Sequence, residues 1–208
     1  MGSLEGKTDG FNILILSKHF LFYSLYGMGD SYQIKDQSAP HFITCQVVGW
    51  ADVFSRKAYR DIIIESLRFC VENKDLIIYA YVIMTNHIHL LVRSNGNNLS
   101  DIIRDFKRFT ANRILYEVEH SIEESRKEWL EMIFEYYAKY NKRADKRQFW
   151  THENHAVELS TNDMIDSRLD HIHENPVKAG WVEKPEDYLY SSARNYAGLN
   201  GMLDVEVV

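Results

Sequence analysis

Hydrophobic and polar positions alternate in blocks that predict a strand and helix order over most of the chain. His41 to Trp50 (HFITCQVVGW) is rich in β-branched and aromatic residues and predicts a first strand closing near Gly49. From Arg56 to Lys74 the apolar residues Tyr59, Ile62, Ile63, Leu67 and Cys70 recur at spacings of three and four, which predicts an amphipathic helix. Leu76 to Met84 is a continuous apolar run, Thr85-Asn86 offers a turn, and His87 to Val92 is a second such run, so a hairpin is expected. After the loop Ser94-Asn95-Gly96-Asn97-Asn98, a helix from about Leu99 is predicted to bury Ile102, Ile103, Phe106, Phe109 and Ile114. Ser121 to Arg147 is helical and then loop-like, and Phe149 to Leu159 holds a short fourth strand.

The resulting β-α-β-β-α-β order specifies an α+β fold of the ferredoxin-like, split βαβ kind. Its four-stranded antiparallel sheet carries two helices on one face. An added C-terminal helix is expected to start at Ser160-Thr161-Asn162, which supply capping side chains, and to end before Pro176. The predicted organisation is an N-terminal extension over residues 1–30, one domain over 31–198 and a tail over 199–208. Met28 directly precedes the first clear strand and helix pattern, so the extension is consistent with translation from an upstream start.

Composition narrows the class. The 208 residues are 45% apolar and 26% charged, as in a soluble globular protein. Cys45 and Cys70 fall in a strand and a helix, which argues against a disulfide framework and fits a reducing cytosol. Phe11 to Leu25 is apolar but broken by Lys18, His19 and Ser24, so neither a signal nor a membrane anchor is expected. A cytoplasmic protein without membrane contact follows.

A net charge of −6 excludes a uniformly basic nucleic-acid binder, yet the basic residues are grouped. Arg104, Lys107, Arg108 and Arg113 form one group, and Lys139, Lys142, Arg143, Lys146 and Arg147 another. Between them Glu117 to Glu135 holds seven Glu against two basic residues, the composition of a solvated face. Arg104, Lys107 and Arg108 share a helical stripe and are candidates for phosphate contact as much as for plain solvation. Arg93, just after the histidine strand, is better placed, and the loop Lys139 to Arg147 is a further candidate.

The most specific chemistry lies at His87-Ile88-His89. Side chains alternate along a strand, so the two imidazoles share a face while Ile88 and Leu90 take the other. Paired neutral imidazoles suit a first-row divalent ion that leaves positions open for a phosphate. The bare spacing is met more often by two ordinary surface or hydrogen-bonded histidines, and context decides. That context is the segment Ser167 to Asn175, where His171 and Asn175 stand one helical turn apart.

The runs YVIMTNHIHLLV (Tyr81 to Val92) and LDHIHENPVKAGWVEKPEDYLYSSARNYAG (Leu169 to Gly198) resemble the REP-associated tyrosine transposases. These belong to the HUH single-strand DNA transposases, relatives of the insertion-sequence enzymes. The resemblance extends from about Ile34 to Gly198. It implies metal-dependent cleavage and strand transfer on single-stranded or hairpin DNA, with Mg²⁺ or Mn²⁺ held by His87, His89 and Asn175, and it admits a homodimer. It also implies a nucleophilic tyrosine four residues before Asn175, which would hold the DNA 5′ end as a phosphotyrosine. That position holds His171. Three readings therefore stand: cleavage with His171 as the nucleophile, an inactive or domesticated DNA-binding module, and hydrolysis by water with His171 or His173 as general base. Tyr188, Tyr190 and Tyr196 are expected to pack against the sheet.

Overall fold

The computed structural model describes residues 33–141 and 146–208, and residues Tyr32–Val208 cluster as one compact unit. The expected extension over residues 1–30, including Phe11 to Leu25, lies outside the described residues. Strand β1 is His41–Gln46, helix α1 Lys57–Asn73, β2 Leu76–Ile83 and β3 His87–Ser94. Helix α2 is Leu99–His120, α3 Lys127–Lys139, β4 Val157–Glu158, α4 Asn162–Lys178 and the short α5 Ala193–Tyr196. The strands lie in the order β2-β3-β1-β4 and all pair antiparallel, the α+β split βαβ arrangement that the sequence specifies.

Register decides what each face carries. Thr44 pairs with His89 and Gln46 with His87, so Ile43, Cys45, Ile88 and Leu90 turn to one face of the sheet. There they join α1, α2 and α3 through Tyr59, Ile63, Leu67, Ile102, Phe106, Leu130 and Phe134 in the main core. The other face carries Phe42, Leu91, Ala80 and Val82, packed beneath Ile172 of α4. A bulge between Ile78 and Ala80 leaves Tyr79 without a β3 partner and restores the alternation that fills both cores.

Three local expectations are corrected. The first strand stops at Gln46, because Val48–Trp50 forms a 3₁₀ turn in which Gly49 (φ 63°) and Trp50 (φ 55°) are left-handed. On α2, Phe109 is 59% exposed. Thr110 takes the inward position, donating its hydroxyl to Phe106 O and accepting from Trp150 Nε1. The added helix runs past Pro176 to Lys178. A proline so near the end forfeits little helical bonding, and Pro176 is buried. Its carbonyl accepts from Trp181 N while Gly180 (φ 74°) donates to Val177 O, a glycine-closed end. The predicted cap holds: Thr161 Oγ1 accepts from Met164 N.

The outer edge of β2 is covered by the chain itself. Ile83 N donates to Tyr190 O, Ser192 N to Tyr81 O and Glu206 N to Ile78 O. The tail thus reaches the sheet edge at Glu206, after Met202 O accepts from Arg68 of α1, and Leu203 is buried.

One charged group is sunk among the helices of the main core. Glu124, in the turn before α3, has a fully buried side chain held by Arg56, Arg126 and the Tyr59 hydroxyl. Burial pushes its carboxyl up, but the hydrogen bonds from Arg126 and Tyr59, with the Arg126 charge, win and hold it at about 2. This clamp ties the α2–α3 connection to the start of α1.

Candidate metal centre

Strand alternation and the antiparallel register bring His87 and His89 onto the face that α4 covers. Their ring centroids lie 4.7 Å apart, and His171 of α4 stands 5.0 Å from His89. Phe42 stacks on His89 at 5.1 Å and meets His171 edge-on at 5.8 Å, forming an apolar floor. His89 is only 7% exposed.

Neighbouring polar groups orient the rings. Asn86 Nδ2 donates to the Trp50 carbonyl at 3.4 Å, which turns Asn86 Oδ1 to accept from His87 Nδ1 at 2.7 Å. That bond fixes the His87 tautomer and leaves the Nε2 lone pair for a ligand. Thr44 Oγ1 engages His89 Nδ1 at 2.9 Å. Burial, helped by the nearby His171, lowers His87 to about 4. Burial lowers His89 well below the ordinary histidine value, and His171 follows through burial and the charges of Arg168 and Lys178. All three rings are therefore neutral at neutral pH, the state in which imidazole binds a metal.

Among the described residues no group of three or more His, Cys, Asp or Glu is arranged for a metal ion. The two imidazoles of β3 lie together, and Asn175 stands one turn beyond His171 on α4, half-buried.

Arg168, which the sequence analysis left out, is part of the site. Its guanidinium lies over the Phe42 ring at 4.9 Å, and its charge acts on both His89 and His171. Arg168, His171 and Lys178 line an open depression of about 560 Å³ that also touches Asp163, Asp166 and Asp170. The missed signal is the stripe 168, 171, 175, 178, spaced by three and four on a single helix.

A family model described as Transposase IS200 like matches residues 37–175. The chain belongs to the IS200-like transposase family. Among solved structures, the chain is similar to a REP-associated tyrosine transposase bound to a REP hairpin. The two share 16% identity over 87% of this chain and 94% of that one, with a TM-score of 0.53, a likeness that shows a common fold. A crystallised Deinococcus radiodurans protein assigned as a transposase shares 14% identity over 72% of this chain and 96% of that one, but its TM-score of 0.40 carries no weight. No curated protein matches the chain in sequence.

The remaining candidates separate by face. Arg93 lies on the histidine face, two alternations beyond His89, where Nε donates to the Tyr79 hydroxyl and one terminal nitrogen to Asn95 Oδ1. Arg104, Lys107 and Arg108 sit on α2, across the sheet from the histidines. Arg104 pairs with Asp101 and Asp105, and Arg108 with Asp105. Lys107 Nζ is turned inward, donating to Thr151 O and Asn154 Oδ1, and burial lowers its ammonium.

The three C-terminal tyrosines pack on the sheet as expected. Tyr188 donates to Ile83 O, Tyr196 to Tyr79 O and Tyr190 to Asp61 Oδ1. His173 faces this side of α4, with Nε2 at 2.9 Å from Ser192 Oγ and its ring 4.9 Å from Tyr196. Among the described residues no tyrosine ring contacts His87, His89 or His171. No described helix is long and apolar enough to cross a membrane.

Proposed function

We propose that this transposase-family chain binds hairpin or single-stranded DNA on the α4 face of its sheet and presents one phosphodiester at His87 and His89. The observation that carries the reading is the convergence of His87, His89 and His171 with Arg168 alongside. Neutral imidazoles, one with its tautomer set by Asn86, offer lone pairs to a divalent ion, and a guanidinium beside them offers two parallel donors to a phosphate. The hairpin in the solved relative supports DNA of that kind as the ligand.

His87, His89 and Asn175 would hold Mg²⁺ or Mn²⁺. When bound, such an ion polarises the phosphodiester and steadies the charge that develops on its oxygens. The protein's own share is to orient the phosphate with Arg168, keep the imidazoles neutral by burial, and exclude water from the Phe42 side. Transfer of the DNA strand through a covalent link needs a nucleophile on α4, and His171 is the group in that place. Its ring leans edge-on against both His89 and Phe42. That packing favours a second reading, in which His171 is a wall of the site and the chain is a DNA-binding module that makes no covalent link.

The test is to incubate the full chain with a hairpin oligonucleotide and Mn²⁺ and to look for cut strands and for protein-linked DNA. Cutting lost in His87→Ala and His89→Ala supports the metal site, and a protein-linked end lost in His171→Ala assigns the nucleophile. Cut strands without linked protein point to water as the attacking group. Tight binding without cutting points to the module. A wild-type chain that binds neither hairpin nor single strand would sink the proposal.

A further inference from the structure

Trp50 stands at the edge of the histidine site in a backbone conformation that large residues avoid. Its φ is 55°, directly after Gly49 at 63°, and its side chain is 40% exposed. A bulky left-handed residue is an outlier that persists only where its surroundings over-determine it. The surroundings here do so. Gly49 is itself left-handed, and a Cβ there would crowd Tyr137 Cε2 at 3.0 Å and Ile133 Cγ2 at 3.1 Å, so any larger residue would strain the turn where it lies against α3. On the other side the turn is stitched to the β2–β3 hairpin: Val47 N donates to Asn86 O, and Asn86 Nδ2 to Trp50 O.

The same Asn86 sets the His87 ring, so one side chain fixes both the indole's backbone and the imidazole. The two rings meet edge-to-face with centroids 6.2 Å apart. An exposed, rigidly held indole beside a phosphate site is suited to one ligand group, an unpaired base of the strand whose phosphate lies at the histidines. Every base has a π-face, and such stacking is tolerant of sequence.

Resting on the DNA reading above, we infer that Trp50 is a stacking platform for an unpaired nucleobase next to the phosphate held at His87 and His89. The site takes a single-stranded or flipped nucleotide in preference to one inside a duplex, because an interior paired base is stacked on both faces. It thereby selects DNA with an unpaired segment beside the phosphate to be held.

The test is a series of fluorescein-labelled hairpin oligonucleotides with an unpaired extension, each carrying one abasic position, bound to the full chain and followed by anisotropy. For the wild type, one abasic position next to the held phosphate weakens binding by about tenfold. Trp50→Asn, whose new side chain accepts the left-handed backbone, is expected to bind the intact hairpin about tenfold more weakly and to show no added loss at that position. Trp50→Phe, which keeps a ring, retains the abasic penalty and separates stacking from folding. Equal penalties in wild type and Trp50→Asn at every position would overturn the role of Trp50 while leaving the DNA reading intact. A wild-type chain with no affinity for any of these DNAs would remove the DNA reading and this one with it.

Discussion

Two buried polar clusters lie on opposite faces of the sheet and are built on opposite rules. Beneath the helices, Glu124 is charged and every partner it needs is present: two arginines, a tyrosine hydroxyl and a backbone amide. Under α4, His87, His89 and His171 are neutral, and each of the two strand histidines spends one ring nitrogen on a neighbour. A charge whose partners are complete has nothing left to offer a ligand, and it holds the fold. Buried lone pairs oriented from behind and left open in front cost stability and gain a use. The contrast supports the proposal of the histidine face as the functional one on grounds separate from the family match.

The largest expected effect falls on the saturated cluster. Glu124→Gln leaves Arg56 and Arg126 without their carboxylate and should cost about 3–5 kcal/mol in urea unfolding, with Mn²⁺ affinity unchanged at temperatures where the protein is folded. A loss below about 1 kcal/mol, the range of an exposed ion pair, would erase the contrast. On the other face, Asn86→Ala removes the group that orients His87. It should weaken Mn²⁺ binding by about 10–100-fold in calorimetric titration, with a loss of urea stability smaller than that of Glu124→Gln. Unchanged Mn²⁺ affinity would show that the histidines are not held for an ion.

Arg168→Ala should reduce the slope of log affinity for hairpin DNA against log salt by about 0.9, the share of one phosphate contact. Arg104→Ala and Arg108→Ala, on α2 across the sheet, should leave that slope unchanged. A larger effect from α2 would move the DNA to the opposite face.

A last check on both clusters is a pair of pH windows. His87 titrates at about 4 in the fold against about 6.5 when unfolded, so its neutral form stabilises the protein fully above 6.5. That contribution is lost as pH falls from 6.5 towards 4. Glu124 is held at about 2 against an ordinary value near 4.5, so its contribution is lost between 4.5 and 2. Thermal unfolding should therefore weaken in two steps on acidification. Saturating Mn²⁺ should raise Tm above pH 6.5 and steepen only the upper step, because protons then displace the ion. A metal-dependent lower step would tie the two clusters together.

Much of this was legible because strand and helix periods are local rules. The alternation in His87-Ile88-His89 places both imidazoles on one face whatever the rest of the chain does, and the stripe through His171 and Asn175 needs only a helix. Arg168 belongs to the same stripe, but an arginine on a polar helix is ordinarily solvated, and only its place over Phe42 marks it. Periodicity places Phe109 only at the margin of the buried arc, and it is exposed. Only the position of Trp150 shows that Thr110 takes the inward place, through a hydrogen bond between residues 40 apart in sequence.

The amino-acid sequence by itself determined the strand and helix order, the pairing of the two histidines on one face, and the presence of histidine where a nucleophilic tyrosine was expected. These follow from backbone geometry repeating every two or 3.6 residues and from the identity of single positions. The tertiary structure alone decided that α4 covers the histidine face while α2 covers the other, since that depends on the path of each connection across the sheet. It likewise decided that Phe42 floors the site, that Asn86 joins His87 to Trp50, and that Tyr188, Tyr190 and Tyr196 are tied to strand carbonyls and a helix carboxylate. Each of these is a contact between segments far apart in the chain, and no local period encodes it.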